Sequence, residues 1–139
     1  MNIDDCIDAA ERNLYDARRY LESGEAVNWV PDSLSTALLR AMEAWLMAHG
    51  HKWNRGQGWE GLRSAFIDVA PEKLRSEVMY CLGKATFLEY DLEGGFEHKE
   101  PILPLKEWKK EAYECLEKME KVVRHLLADT RLNILSKDK

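Results

Sequence analysis

The chain has no long apolar run. Its apolar stretches are only a handful of residues each, far short of the ~20 that a membrane-spanning helix needs. It has no excess of positive charge either. The formal net charge is -5, which argues against coating nucleic acid as the main task while leaving room for a local basic patch. The first residues, MNIDDCIDAAERN, are acidic and lack the basic-then-apolar order of a secretory leader, so a cytoplasmic protein is expected. Cysteine is scarce. Cys6, Cys81 and Cys115 stand apart, without CxxC spacing, which excludes a zinc site built from grouped ligands and predicts reduced, buried thiols. No segment alternates polar and β-branched residues as a strand would, and no fixed-period repeat suggests a solenoid.

What the chain does have is helical periodicity. With 45% apolar and 32% charged residues it is composed like a globular protein rather than a disordered one. Ile3, Ile7, Ala10, Leu14, Ala17 and Leu21 form an unbroken stripe at spacings of four and three, stopped by Gly24. A second helix is predicted to open near Pro31 and Asp32, with Leu34, Leu38, Ala41, Trp45 and Ala48 as its stripe. Leu39, Met42 and Leu46 extend its apolar surface round the circumference, which makes it the expected central helix; Gly50 ends it. After a polar loop, residues 51–58, a short helix carries Trp59, Leu62, Phe66 and Val69. Pro71 starts a fourth helix with Leu74, Val78, Cys81, Ala85 and Leu88, which ends in DLEGGFEHKEPILP.

The last predicted helix has the stripe Leu105, Trp108, Ala112, Cys115, Met119, Val122 and Leu126. Its other face holds Glu114–Lys118, Glu117–Lys121 and Glu120–Arg124, acid-then-base pairs that read as a solvated surface. The expected architecture is all-α, an up-and-down bundle of four to five antiparallel helices over residues 1–128, with a frayed polar tail at 129–139.

Recognisable catalytic patterns are missing. No His follows a Glu by three, His-Glu-x-x-His and Gly-x-Ser-x-Gly are absent, and GHKWNRGQG lacks both the Gly-Lys-Ser/Thr ending and the preceding strand of a P-loop. No metal site and no cofactor is expected. One polar cluster remains: His49, His51, Lys52, Trp53, Arg55, Gln57 and Trp59. Cations next to indole faces and free helix amides suit a phosphate with a stacked base. The plain alternative is that Trp53 and Trp59 close the end of the bundle, and Trp59, opening an apolar stripe, favours it. A second cluster, Tyr90, Asp91, Glu97 and His98 around Gly94 and Gly95, offers a histidine beside acids, which is either an acid–base group or simply exposed. His125, beside the last stripe, reads as a helix-end residue favoured by the dipole.

In this order the pieces resemble the HEPN superfamily (higher eukaryotes and prokaryotes nucleotide-binding domains). SLSTALLRAMEAWLMAHGHKW, residues 33–53, resembles the family's second helix, and WEGLRSAF the short helix that follows. FLEYDLEGGFEHKEP and the long final helix resemble its fourth helix, irregular exit and closing helix, so the similarity of pattern spans residues 5–127. The resemblance implies a four- or five-helix bundle, commonly a homodimer. Many members are ribonucleases with Arg four to six residues before His. Here no arginine lies between Arg75 and Arg124, so His98 lacks that partner, and the toxin form Arg-x4-His-x-Tyr fails as well. Arg40 and His49 are too far apart to replace it.

The expectation is therefore a non-enzymatic binding module that takes a nucleotide or RNA segment through His51, Lys52, Trp53, Arg55 and Trp59, or that pairs with a separately encoded nucleotidyltransferase. The alternatives are a divergent ribonuclease using His98, with an arginine from elsewhere or from a second subunit, and a helical protein–protein interaction domain whose tryptophans are all core or interface.

Overall fold

A computed structural model describes residues 1–92 and 103–137. The described residues form an all-α bundle of five helices: α1 (Ile3–Ser23), α2 (Val30–Ala48), α3 (Gly58–Val69), α4 (Glu72–Leu92) and α5 (Leu105–Lys137), with single 3-10 turns at Val27–Trp29 and Arg55–Gln57. The described residues contain no strand.

Local chemistry sets the helix ends. Asn2 caps α1 in a capping box: its side chain accepts from the Asp5 amide at 2.8 Å, and the Asp5 carboxylate accepts from the Asn2 amide. Gly24 ends α1 at φ 72°, where a Cβ would be strained. Pro31 occupies the first turn of α2, in which its missing N–H costs nothing. Ala70 is extended because Pro71 follows it, and this breaks α3 from α4.

α2 is the central helix. It packs against α1, α3, α4 and α5, and every residue from Ala41 to Leu46 is buried. Each completely buried leucine on it, such as Leu38 or Leu46, contributes about 1.5–3 kcal/mol by leaving water. α4 turns Leu74, Val78, Cys81, Leu82, Ala85 and Leu88 to the core, and leaves Met79 and Phe87 exposed on its other side. Trp108 at the start of α5 is buried, and its indole N–H donates to the Leu88 carbonyl at 3.0 Å. The buried Asp91 accepts from the Leu103 amide at 3.1 Å. The first bond joins α4 to α5, and the second ties α4 to the segment just before α5, across residues 93–102. Glu97, His98, Gly94 and Gly95 lie outside the described residues.

Three expectations about α5 are corrected. The tail does not begin at 129, since the helix continues to Lys137. The reason is that α2 ends with carbonyls that have no intrahelical partner. Asn133 donates to the Ala48 carbonyl at 3.1 Å, and Lys137 donates to the same oxygen, which places a cation at the negative end of α2. Arg131 adds an ion pair to Glu11 of α1 at 2.6 Å. His125 consequently sits well inside α5, exposed and away from its terminus, so the helix-end reading fails. Of the three acid-then-base pairs only Glu120–Arg124 closes, at 3.2 Å. Glu120 also receives Arg18 from α1, and Lys118 lies over the Tyr80 ring of α4 at 3.9 Å. That face of α5 is partly a helix–helix seam.

Candidate functional site

The polar cluster of the sequence starts where α2 stops. Gly50 adopts φ 76°, and two bonds close the end of the helix: His51 N–H to Leu46 O at 2.9 Å and Gly50 N–H to Met47 O at 3.1 Å. This is a Schellman turn, which only a residue tolerant of the left-handed region completes without strain. The chain then folds back through an Asx-turn, in which Asn54 Oδ1 accepts from the Gly56 amide at 3.0 Å and Asn54 O accepts from the Gln57 amide at 3.1 Å. Gly61 of α3 sits against this turn so closely that a Cβ there would meet Asn54 O at 2.3 Å. Two glycines, one at a helix end and one at a close approach, thus shape the loop.

Between the turn and the end of α2 lies a cleft of about 390 Å³, lined by Met47, Gly50, His51, Lys52, Trp53 and Arg55. Four of the residues singled out from sequence therefore meet in one place. Lys52 is exposed and enters no ion pair among the described residues. The Arg55 guanidinium lies over the Trp53 ring at 4.2 Å, a cation–π contact worth about 0.5–1 kcal/mol at an exposed position. Trp53 is half-buried and packs against the core.

Three members of the cluster do not line the cleft, and of these Gln57 closes the Arg55–Gln57 turn while the other two lie elsewhere. Trp59, which the apolar stripe of α3 would put inside, is 39% exposed, does not line the cleft, and lies under the Arg40 guanidinium at 4.9 Å. His49 belongs to the end of α2: its ring stacks on Trp45 at 4.0 Å, its Nδ1 lies 2.8 Å from the Trp45 carbonyl, and its Nε2 is 3.5 Å from Asp129 of α5. Trp45 Nε1 donates to that same carboxylate at 2.6 Å. His49 thus helps to dock α5.

Behind the cleft is a group that the sequence reading passed over. Glu43 lies mid-α2 with 5% of its surface exposed. Its Oε1 accepts from Arg40 Nη1 at 2.8 Å and from the Cys6 thiol at 3.2 Å, and its Oε2 accepts from Arg55 Nη1 at 3.4 Å. A buried carboxylate stripped of its counter-ion costs about 3–5 kcal/mol, so these arginines carry structural weight. Burial, and next the hydrogen bond to Glu43, pushes the Cys6 thiol up to about 12. Cys6 is therefore a structural donor and not a nucleophile. The signal was present in the sequence, because a glutamate among Ala41, Met42, Ala44 and Leu46 on a helix apolar all round has to find a cation, and Arg40 precedes it by three.

Cys81 and Cys115 are likewise free and buried, their thiols pushed up by burial to about 11 and about 12. Among the described residues no group of three or more His, Cys, Asp and Glu side chains could hold a metal ion, and no helix is long and apolar enough to cross a membrane. Comparison with protein families, with curated proteins and with solved structures returns no match for the chain.

Proposed function

We propose that the chain is a non-catalytic, HEPN-like helical binding module that holds the phosphate of a nucleotide or of a single-stranded RNA segment in the cleft between Gly50 and Arg55. The observation that carries this reading is the convergence of Lys52, Arg55 and His51 on one cleft beside the indole of Trp53, in a protein that is acidic overall. A phosphate there gains charge-assisted bonds from Lys52 and Arg55, and Arg55 is already oriented by its stack on Trp53. Neither role needs the arginine that a ribonuclease of this pattern would place before His98.

The test is titration with ADP and with a short oligoribonucleotide, with RNA integrity checked afterwards. Lys52→Ala is the cleaner probe, because Arg55 also bonds to Glu43 and its loss would change more than the phosphate contact. Losing one charge-assisted contact of about 1.5 kcal/mol should weaken binding by about tenfold and leave the melting temperature unchanged. Equal affinity in both proteins overturns the proposal, and cleavage of the RNA would replace it with the ribonuclease reading.

A second reading has its own observation. Met79 and Phe87 are exposed on α4 opposite its buried stripe, with open space at Gly83 between them. That surface supports a protein–protein contact, a second copy or a nucleotidyltransferase, and sedimentation of the purified chain over a range of concentrations tests the homodimer.

A further inference from the structure

We propose that Glu43 acts as an internal anion that competes with bound phosphate for Arg55, and so sets the affinity of the cleft. This rests on the phosphate-binding reading above. The two oxygens of Glu43 are unequally served. Oε1 has Arg40 at 2.8 Å and Cys6 at 3.2 Å, whereas Oε2 has Arg55 at the longer 3.4 Å. The two arginines also differ in their surroundings. The Arg40 side chain is 26% exposed and sits on the same helix as Glu43, three residues earlier, while that of Arg55 is 59% exposed and forms the wall of the cleft.

Arg40 alone neutralises the Glu43 charge, so the buried carboxylate keeps a counter-ion when Arg55 turns away. Arg55 is the surplus cation, and the three side chains together carry one net positive charge. A guanidinium has five N–H donors, of which Glu43 engages one on Arg55. Phosphate in the cleft and Glu43 behind it therefore draw on the same guanidinium from two sides, while the stack on Trp53 keeps it within reach of both. Glu43 weakens binding in two ways, by holding Arg55 and by repelling the ligand's charge through a poorly screened interior.

The experiment uses the full chain, its Glu43→Gln and Arg40→Gln variants, and inorganic pyrophosphate as the probe. Affinity is read by calorimetry, and the arginine side-chain N–H resonances are followed by NMR. Glu43→Gln should tighten binding by at least about twofold, the effect of removing one unit charge at about 8 Å even in a water-like dielectric. Arg40→Gln should weaken binding by a comparable factor, although Arg40 does not line the cleft, because Arg55 becomes the sole counter-ion of Glu43. A purely structural role for the triad would not give opposite signs. In the unmodified protein the Arg55 resonance should move on titration and that of Arg40 should stay.

Pyrophosphate binding to the unmodified protein with no tightening in Glu43→Gln overturns the competition alone. Absence of binding to both proteins overturns the competition and the phosphate-binding reading together. Should Glu43→Gln fail to fold, the unmodified protein decides: an Arg55 resonance that does not move at saturation overturns the proposal.

Discussion

Gly61 and Gly83 both lie inside helices, so replacing either with alanine should bring the same local gain, about 1 kcal/mol of helix propensity. Their surroundings set them apart. A Cβ on Gly83 meets nothing within 4 Å, so Gly83→Ala is expected to stabilise the protein by about 0.5–1 kcal/mol. A Cβ on Gly61 would stand 2.3 Å from Asn54 O and 3.1 Å from Gln57 Cβ. Since backbone does not yield like the tip of a flexible side chain, the turn at Asn54–Gln57 has to move. Overpacking of this kind costs about 1–3 kcal/mol, and disturbing the bond from the Gln57 amide to Asn54 O costs about 1 kcal/mol more. Set against the propensity gain, Gly61→Ala should destabilise by about 1–3 kcal/mol.

For a chain of 139 residues the entropy of unfolding converts 1 kcal/mol to about 3–4 °C of melting temperature. The pair should therefore separate by roughly 5–14 °C in opposite directions, measurable by thermal and urea unfolding of the two variants side by side. Equal stabilisation of both would show that the loop does not lean on α3. It would also remove the packing argument for the shape of the cleft.

Asn133→Ala with Lys137→Ala leaves the Ala48 carbonyl without its two side-chain donors, and should lower stability by about 1–2 kcal/mol in urea unfolding; no change would mean that the end of α5 does not dock. The thiols give a pH dependence with a definite sign. Cys6, Cys81 and Cys115 are raised from 9.0 to about 12, about 11 and about 12, so their contribution is complete below pH 9 and is lost as pH rises toward the folded values. At pH 10 each should have cost roughly 1 kcal/mol relative to pH 8, and Cys81→Ala should flatten the profile by one such step in urea titrations at the two pH values. A profile no flatter in the variant would refute the assignment.

Most helix boundaries were legible in the chain, because they are set locally. Asn2, Gly24, Pro31, Gly50 and Pro71 act within a few residues of where they stand, and the four-and-three spacing of Ile3 to Leu21 or Trp108 to Leu126 is a property of the chain alone. For the same reason the meeting of His51, Lys52, Trp53 and Arg55 was legible, because they are neighbours in one short loop. Tertiary structure decided whatever joins distant segments. Glu43 draws Cys6 from α1 and Arg55 from the loop, and α5 stays helical to Lys137 because the open end of α2 accepts its donors. Trp59, close in sequence to the cleft, lies outside it and instead meets Arg40 of α2. Periodicity reports which face of a helix is apolar. Which buried charge meets which cation depends on how the helices are set against one another, and that emerges only when the core has packed.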